Sequence, residues 1–256
     1  MKNTFTDIHT HILPNTDDGA QSMEESMQML HMAYNEGIRT IIATPHYGME
    51  YKYTKDECER NVVKLNNIIN NDARLKGMKV RLGNELLYHV DISQDLKQGL
   101  ANTLAGTNYV LVEFFTDAPF SALEAAVREM QMAGYKPIFA HVERYICLID
   151  DIGKLDWLRS MGVMLQVNSV ELSEMPKKEW TKKKGLFKRG KFDPEDFLKQ
   201  IAWQYVLSGK IDLIASDMHG PEWRPPVMKK AFENIRAAGG DELADKLIEN
   251  AENILK

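Results

Sequence analysis

The chain has 256 residues, of which 44% are hydrophobic and 27% are charged, and its formal net charge at pH 7 is −5. This is enough apolar sequence for one large core, and α/β barrels of about 250 residues commonly fold as one unit, so we expect a single domain over residues 1–256. The mild acidic balance argues against a nucleic-acid-binding protein, which usually carries a basic surface.

The apolar segments of the chain are short. Met1–Asp7 contains no apolar run of signal-peptide length, and the run Tyr109–Val112 is far too short to span a bilayer. The two cysteines, Cys58 and Cys147, lie far apart without metal-ligand spacing, which is typical of reduced thiols. We therefore expect a cytoplasmic protein that does not insert into a membrane. The sequence leaves the oligomeric state open, a homo-oligomer included.

Short β-rich runs alternate with helical patterns along the chain. The runs are continuously apolar, which is typical of strands buried on both faces. The predicted strands are Phe5–Ile8, Thr40–Ala43, Lys79–Leu82, Tyr109–Glu113, Pro137–Ala140, Val163–Val167 and Asp212–Ala215. The predicted helices are Ser22–Glu36, Lys55–Leu75, Phe120–Ala133, Ile152–Met161, Pro194–Leu207, Val227–Ala238 and Asp241–Ile254. The first of these helices opens with Ser22 and Glu25 at capping-box spacing.

This order of elements predicts the fold class. Alternating strands and helices indicate parallel strands joined by right-handed crossovers. Seven such strands favour an α/β fold of the distorted (β/α)7 TIM-like barrel type, and a doubly wound open sheet is the competing architecture. One stretch departs from the pattern: Lys177–Lys191 carries eight basic residues with Gly185 and Gly190, which is typical of an exposed loop.

Histidines and carboxylates follow six of the seven predicted strands. The carboxyl ends of parallel barrel strands converge on one face, where the active site lies. The candidate ligands are His9, His11, Asp18, His46, Glu85, Glu113, His141, Asp217 and His219. Imidazole and carboxylate without thiolate suit Mn, Fe or Zn, and nine ligands exceed the need of one ion. We expect two or three divalent ions, with manganese as the first choice and iron or zinc as alternatives.

Each candidate ligand also has an ordinary structural explanation. A single histidine after a strand is most often a hydrogen-bonded structural residue, whereas the His-x-His and Asp-x-His pairs are stronger signals because alternate residues of extended chain can share an ion. Asp17 and Asp18 compete for one role, and an Asp-Asp-Gly turn without metal is an alternative for either. We interpret His31 and His89 as structural, and Asp7 as a packing residue or a support for the ligands.

Two arginines complete the predicted site. Arg144 and Arg224 follow ligand-bearing segments, where a guanidinium can hold two phosphate oxygens at once. Either could form an ordinary surface ion pair, and Arg144 is the stronger candidate because it lies three residues after His141. No phosphate-binding loop surrounds Cys58 or Cys147, and acidic neighbours would raise the pKa of the Cys58 thiol. We therefore expect water activated by the metal, not a cysteine, as the nucleophile.

These motifs resemble the polymerase and histidinol phosphatase (PHP) superfamily, in order and over nearly the whole chain. More narrowly, they look like the bacterial protein-tyrosine phosphatases of capsule and exopolysaccharide gene clusters. The matching segments are Asp7–Ile12, Asp17–Gly19, Ala43–His46, Gly83–Glu85, Val112–Phe114, Ala140–Tyr145, Ala215–His219 and Arg224–Pro226. The stretch Ser173–Asp196 matches the family pattern least well.

The resemblance implies a PHP fold, three divalent ions and a role for each ligand. The first ion would be held by His9, His11, Glu85 and Asp217. Glu85 would bridge to a second ion, held also by Glu113 and His141. The third ion would be held by Asp18, His46 and His219. Arg144 and Arg224 would bind the phosphoryl group and stabilise its transition state.

The resemblance further implies a metal-dependent protein-tyrosine phosphatase. Its partner would be a phosphotyrosine-bearing protein, such as the tail of a bacterial tyrosine kinase that regulates capsule or exopolysaccharide synthesis. A small-molecule phosphomonoesterase, such as a histidinol-phosphate phosphatase, would share the metal site, so the ligands do not discriminate. A nuclease lacks an obvious basic track, and a non-catalytic, metal-stabilised binding module is disfavoured by the complete ligand set.

The basic stretch offers a docking hypothesis. It follows the sixth predicted strand, so we expect it on the same barrel face as the metal site. A peptide with several phosphotyrosines would be drawn to it, mostly through faster association that salt would screen. The candidate docking residues are Lys182, Lys183, Lys184, Lys188 and Arg189. The simpler alternative is a solvated loop.

Overall fold

The computed structural model describes residues 4–51, 53–149, 151–175 and 194–256. Within these ranges, nine strands pair in parallel with their neighbours. The strands are β1 (Phe5–Thr10), β2 (Ile38–Ala43), β3 (His46–Tyr47), β4 (Lys79–Leu82), β5 (Glu85–Leu87), β6 (Tyr109–Glu113), β7 (Lys136–Phe139), β8 (Met164–Asn168) and β9 (Leu213–Ala215). The seven predicted strands are confirmed with ends shifted by a few residues, and β3 and β5 are additions.

Helices separate most of the strands. The α-helices in the described ranges are α1 (Met23–Asn35), α2 (Lys55–Asn71), α3 (Ile92–Lys97), α4 (Phe120–Met132), α5 (Ile146–Ile149), α6 (Gly153–Ser160), α7 (Pro194–Leu207), α8 (Met228–Gly239) and α9 (Asp241–Asn253). The seven predicted helices are present. The sequence did not predict α3 and α5 because six and four residues are too few to show a helical period.

The predicted capping box of α1 forms only in part. Ser22 Oγ accepts a hydrogen bond from Glu25 N at 3.2 Å, as the spacing predicts. The Glu25 carboxylate, however, accepts from Gln21 N at 2.7 Å instead of from Ser22 N. The helix start was therefore predicted correctly, although the second bond of the box goes to the preceding residue.

The second helix is shorter than predicted. It ends at Asn71 instead of Leu75, because Asp72 has extended backbone angles (φ −108°, ψ 107°). The Asp72 carboxylate accepts from Arg74 N at 2.9 Å and starts a separate turn at Ala73–Leu75. An Asp side chain that bonds the backbone two residues later competes with helix continuation.

The strands form two sheets, in the orders β1-β2-β4 and β3-β5-β6-β7-β8-β9. Only Thr44 and Pro45 separate β2 from β3, and only Gly83 and Asn84 separate β4 from β5. Proline has no N–H for a sheet ladder, so the interruption after β2 follows directly from Pro45. Each pair therefore acts as one interrupted strand that links the two sheets.

The two outer strands of this arrangement also meet. Asp217 N donates to His9 O and His11 N donates to Met218 O, both at 2.9 Å, and Thr10 forms a parallel bridge with Met218. An open doubly wound sheet would keep these edges apart. The fold is therefore α/β, with parallel strands that form a half-barrel whose edges are in contact.

Two hydrophobic clusters hold this framework together. The larger one packs the strands against the surrounding helices. The smaller one joins buried strand residues, such as Ile42 and Leu111, to Ala251 and Ile254 at the end of α9. No helix in the described ranges is both long and apolar enough to cross a bilayer.

The start of α2 provides a stability prediction. Thr54 Oγ1 accepts from Glu57 N and Glu57 Oε2 accepts from Thr54 N, a complete capping box. Thr54→Ala should lower the free energy of unfolding by about 1 kcal/mol, the usual cost of a lost helix cap. Thr54→Ser should retain most of the stabilisation that the cap provides, since serine keeps the hydroxyl group. Urea unfolding of the metal-free protein measures both, and an unchanged midpoint in Thr54→Ala would show that the box contributes nothing.

Candidate metal centre

The Glu85 carboxylate, at the start of β5, is the centre of the predicted ligand set. Its Oε2 lies 3.1 Å from His9 Nε2, 3.2 Å from His11 Nε2 and 3.0 Å from His46 Nδ1. Its Oε1 lies 2.8 Å from His141 Nε2. Because these residues lie in or just after four strands, β1, β3, β5 and β7, their meeting point requires the strand ends to converge. Glu85 is fully buried at this point.

Three groups of donor atoms surround Glu85, each with atoms within 4.8 Å of one another. The first group is His9, His11, Glu85 and Asp217. The second group is His46, Glu85 and Glu113. The third group is His11, Asp18, His46 and His219. The structure thus brings together all nine predicted ligands, since His141 Nε2 also lies beside Glu85 and is 3.7 Å from Glu113 Oε2.

The grouping differs from what the resemblance implies: the third group also includes His11, and the second group contains His46 where the resemblance placed His141. His46 lies between two groups: its Nδ1 is 3.0 Å from Glu113 Oε1, and its Nε2 is 3.4 Å from Asp18 Oδ1. The resemblance placed His46 only with Asp18 and His219. A neutral imidazole has a lone pair on only one of its two nitrogens. His46 can therefore serve as a metal ligand on only one of these two sides at a time.

Two hydrogen bonds determine which nitrogens of the first group face inward. His9 Nδ1 lies 3.2 Å from Gln166 Oε1, and His11 Nδ1 lies 2.7 Å from Asp17 Oδ2. Both partners are acceptors, so both Nδ1 atoms donate, and in the neutral form of each ring the lone pair is then on Nε2. These two Nε2 atoms are only 3.2 Å apart. Two lone pairs at that distance repel unless a proton or a cation lies between them.

The structure also separates the roles of Asp17 and Asp18. Asp17 is buried and accepts from His11 Nδ1, from His46 N at 3.1 Å and from Gly19 N at 3.0 Å. Asp18 instead directs its carboxylate to the third group. Gly19 is required for this turn, since a Cβ atom there would lie 2.0 Å from His11 O. The two aspartates are therefore not alternatives: one orients a ligand, and the other faces the donor cluster.

The eighth strand contributes amides that the sequence analysis missed. Gln166 and Asn168 are fully buried at the end of β8. Gln166 Nε2 donates to Asn168 Oδ1 at 2.8 Å, and Asn168 Nδ2 donates to Asp217 Oδ2 at 2.7 Å. Gln166 Oε1 also accepts from His141 N at 3.0 Å. The signal in the sequence was a pair of amides with alternate spacing in an otherwise apolar strand, which is unusual unless both amides have partners.

Asp7 supports the site in a similar way. It is fully buried, and its Oδ1 accepts from Ser216 N at 3.0 Å, just before Asp217. Burial raises the pKa of Asp7 to about 6, and the bonds from Ser216 oppose that rise. The side chain thereby joins β1 to the turn that carries Asp217 and His219.

Both predicted arginines contact the same carboxylate oxygen. Arg144 Nη2 lies 3.3 Å and Arg224 Nη1 lies 2.9 Å from Asp217 Oδ2. Their side chains are 26% and 21% exposed, so each guanidinium is partly open to solvent. Asp217 Oδ1 faces His9 and His11 at 3.3 and 3.4 Å. One aspartate therefore connects the donor cluster to both cations.

Three residues of this site have left-handed backbone angles. The φ values are 33° for His141, 52° for Asp217 and 55° for Arg224. Non-glycine residues seldom adopt such angles, and each costs about 1–3 kcal/mol that the surrounding structure must offset. Strain of this kind is concentrated at functional sites, which supports a functional reading of these turns.

The electrostatics of the cluster favour bound cations. Burial alone would lower the pKa of His11, but the carboxylates of Asp17, Asp217 and Glu85 raise it well above its usual value. Their negative field therefore attracts positive charge to this position, which either a proton or a metal ion can supply. Burial and the nearby Arg144 lower the pKa of His141 to about 4, so this imidazole is neutral at pH 7. A neutral imidazole can donate its lone pair to a metal ion.

The donor set satisfies a direct test for divalent ions. Glu85 Oε2 is buried and has no hydrogen-bond partner, although three imidazole nitrogens lie within 3.2 Å of it. A buried carboxylate oxygen without a hydrogen bond needs positive charge beside it, and divalent ions held by the surrounding donors would supply that charge. Nitrogen and oxygen donors without sulfur suit Mn, Fe or Zn.

The remaining candidates lie apart from the donor groups. His31 Nε2 is 3.2 Å from Asp72 Oδ2, and His89 Nε2 is 3.5 Å from Asp95 Oδ2. Cys58 is fully buried, and burial raises its pKa to about 12. The acidic neighbours that the sequence analysis named add to this rise, but burial is its main cause. The docking candidates, Lys182–Lys184, Lys188 and Arg189, lie outside the described residues.

The comparison with known proteins identifies the family. A family model described as capsular polysaccharide synthesis, CpsB/CapC, matches residues 5–190. The chain belongs to the CpsB/CapC family. Within it, tyrosine-protein phosphatase CpsB of Streptococcus agalactiae serotype V is 31% identical over 98% of this chain and 98% of its own length.

Two further comparisons extend the family relationship to the structure. Tyrosine-protein phosphatase YwqE of Bacillus subtilis is 32% identical, over 98% of this chain and 91% of its own length. One solved chain comes from the crystal structures of YwqE from Bacillus subtilis and CpsB from Streptococcus pneumoniae, unique metal-dependent tyrosine phosphatases. It matches with a TM-score of 0.83 at 30% identity, over 98% of this chain and 94% of its own. The resemblance to capsule-cluster phosphatases is thereby confirmed at the level of the CpsB/CapC family.

The bonds of Asp17 provide a prediction for metal affinity. Both of its oxygens accept hydrogen bonds, so an amide, with one oxygen, cannot satisfy His11 Nδ1 and Gly19 N together. Asp17→Asn should weaken the binding of Mn²⁺ about 10- to 100-fold, the usual effect when a partner of a ligating histidine is lost.

Titration calorimetry of the metal-free protein with Mn²⁺ measures this change. Asp95→Asn is the matched control, since Asp95 pairs with His89 outside the donor groups, and its affinity should equal that of the wild type. Equal affinity in Asp17→Asn would show that Asp17 does not orient a ligand.

Proposed function

We propose that this chain is a metal-dependent protein-tyrosine phosphatase. The observation that carries the proposal is the convergence of eight nitrogen- and oxygen-donor residues around the buried carboxylate of Glu85, with two guanidinium groups at their edge. With divalent ions bound, such a site would combine cations that attract a phosphoryl group with arginines that can hold its oxygens. The names of the CpsB and YwqE relatives support tyrosine phosphate as the substrate class.

We assign two or three divalent ions to the donor groups. The first ion would be held by His9, His11, Glu85 and Asp217. Glu85, Glu113 and His141 would hold the second, and Asp18, His46 and His219 the third. Bound ions would supply Lewis-acid chemistry, which polarises phosphoryl oxygens and lowers the pKa of water. Manganese is our first choice, with iron or zinc as alternatives.

The protein's own side chains perform the remaining tasks. Gln166 and Asp17 fix the tautomers of His9 and His11, so lone pairs point into the cluster. Asp217 holds Arg144 and Arg224 beside the donors through its outer oxygen. A guanidinium anchored on one side by a carboxylate retains N–H groups that can bind phosphate oxygens. The arginines are thereby oriented before a substrate arrives, which is the basis of electrostatic stabilisation in catalysis.

The fold supports a finer description. We propose that β1, the interrupted strands β2–β3 and β4–β5, and β6 to β9 close a distorted (β/α)7 barrel of the PHP type. The hydrogen bonds between the ends of β9 and β1 support closure. Residues 1–256 would then form a single domain, with the donors at the carboxyl ends of its strands.

The cellular role is proposed on the family alone. A phosphotyrosine-bearing protein, such as the tail of a bacterial tyrosine kinase in capsule or exopolysaccharide synthesis, fits the CpsB/CapC description. A cytoplasmic location is supported by Cys58 and Cys147, which are both free thiols. The alternative of a small-molecule phosphomonoesterase would use the same donors, and activity on histidinol phosphate without activity on phosphotyrosine would favour it.

Metal removal tests the reaction class. Chelation should abolish phosphomonoesterase activity because the donor cluster then lacks its cations, and added Mn²⁺ should restore it. Hydrolysis of p-nitrophenyl phosphate, with metal content measured in the same samples, checks this expectation. Full activity after complete removal of metal would contradict the proposal.

Arg144 tests the role of the guanidinium groups. Arg144→Ala should lower kcat about 100-fold or more while the metal content stays unchanged, the scale that follows the loss of an electrostatic stabiliser. Arg144→Lys should recover little because an ammonium group cannot reproduce the planar donor fork. Arg159→Ala is a suitable control, since Arg159 pairs with Asp212 away from the donors. A near-normal kcat in Arg144→Ala would reduce Arg144 to a structural ion pair.

A further inference from the structure

Two aromatic side chains lie against imidazoles of the third donor group. The Tyr51 ring is nearly parallel to the His46 ring, with centroids 5.6 Å apart and planes at 7°. The Trp223 ring is nearly perpendicular to the His219 ring, with centroids 5.1 Å apart and planes at 77°. Asp18 Oδ1 lies 3.4 Å from His46 Nε2 and 3.5 Å from His219 Nε2. One aromatic ring therefore stands beside each imidazole that Asp18 joins.

This edge of the cluster is its most open part. The Asp18 side chain is 43% exposed, whereas those of Glu85 and Asp217 are 1% and 2% exposed. Trp223 is itself 57% exposed, and neither Trp223 nor Tyr51 belongs to the two hydrophobic clusters of the described residues. Packing of the core therefore does not account for these rings. Trp and Tyr are enriched among the residues that contribute most to binding, and both rings here border the donor cluster.

Trp223 packs against the neighbouring Arg224. The Arg224 guanidinium lies over the indole, with Cζ 4.8 Å from the ring centroid. The backbone between His219 and Arg224 is closed by a hydrogen bond from His219 N to Arg224 O at 3.1 Å. The indole and the guanidinium thus form one packed unit, and the ring lies directly beside a group that can hold phosphate.

The chemistry of an aryl phosphate makes this arrangement informative. Its ring begins one ester oxygen from phosphorus, so the ring must lie just outside the atoms that hold the phosphoryl group. We propose that Tyr51 and Trp223 form the subsite for the aromatic ring of phosphotyrosine. The inference rests on the proposed phosphatase function and extends it from the phosphoryl group to the organic part of the substrate. Faces and edges of aromatic rings offer the favourable contacts of such a subsite.

The subsite predicts selectivity between phosphoamino acids. Phosphoserine has a methylene group where phosphotyrosine has its ring, so it gains little from Tyr51 or Trp223. Each aromatic contact should favour the aryl substrate about 3- to 10-fold, the usual range for a pair of rings. This preference should appear mainly in KM, because the ring is bound in the substrate as well as in the transition state.

Steady-state kinetics of the metal-loaded protein tests the inference. The ratio of kcat/KM for O-phospho-L-tyrosine to that for O-phospho-L-serine should fall about 3- to 10-fold in Trp223→Ala and in Tyr51→Ala. Trp223→Phe and Tyr51→Phe should retain most of the ratio, since each keeps a ring. Met132→Ala is the control: Met132 is 89% exposed at the end of α4, and both kcat/KM values should equal those of the wild type.

A binding measurement separates contact with the ring from catalytic geometry. Phenylphosphonate and methylphosphonate are not hydrolysed and differ in the group attached to phosphorus. Calorimetry should show that the wild type binds phenylphosphonate more tightly than methylphosphonate. In both alanine variants this preference should fall by the same factor as the kcat/KM ratio. Where Trp223→Ala does not fold, Trp223→Leu keeps apolar volume without a ring and should show the same loss.

The outcomes distinguish two kinds of failure. If the metal-loaded wild type hydrolyses neither substrate, the proposed function is wrong and the subsite falls with it. The wild type could hydrolyse phosphotyrosine while the alanine variants keep the wild-type ratio of kcat/KM values and the wild-type preference for phenylphosphonate. In that case the subsite is wrong and the proposed function stands. An equal loss of kcat/KM for both substrates in Trp223→Ala would show that Trp223 does not contact the substrate ring and only positions Arg224.

Discussion

The structure depends on one crowded carboxylate. Imidazole nitrogens from three other strand ends lie around the two oxygens of Glu85, and all of these side chains are buried. A single proton cannot satisfy so many donors and acceptors at these distances, and solvent cannot reach them. The folded chain therefore gathers groups that repel or compete with one another unless positive charge is added. Most other features of the site, such as the bonds of Asp17 and Gln166, fix the directions in which these groups point.

Much of this arrangement was predictable from the sequence because the positions of the ligands depend on local sequence. Each candidate ligand except Asp18 lies at the end of a predicted apolar strand or within a few residues after it, and parallel strands place such residues on one face. The sequence therefore predicted the strands and the nine donors that the structure brings together. The brief strands β3 and β5 escaped prediction, since two or three residues give no pattern. Pro45, however, marked one of the two interruptions.

The hydrogen bonds and ion pairs that orient the ligands were not predictable, because they depend on contacts between distant residues. Gln166 and Asn168 appeared as parts of an ordinary strand, and their role emerges only when β8 lies beside the ends of β7 and β9. Asp17 and Asp18 are neighbours in sequence, yet the turn at Gly19 sends their carboxylates to different partners. The shared contact of Arg144 and Arg224 with Asp217 likewise requires the folded positions of two separate turns. Local sequence specifies which groups reach the site, and tertiary structure specifies how they are divided.

The contact between β1 and the segment after β9 has a consequence for biosynthesis. Ser216 N bonds to Asp7 Oδ1 across 209 positions of the chain. At ribosomal rates of about 5–20 residues per second, roughly 10–40 s separate the synthesis of these two residues. Throughout that interval the nascent chain presents His9 and His11 without Asp217, so an ion captured early would have fewer ligands. Complete coordination and the contact between β1 and the segment after β9 must therefore wait until Ser216 and Asp217 have been synthesised.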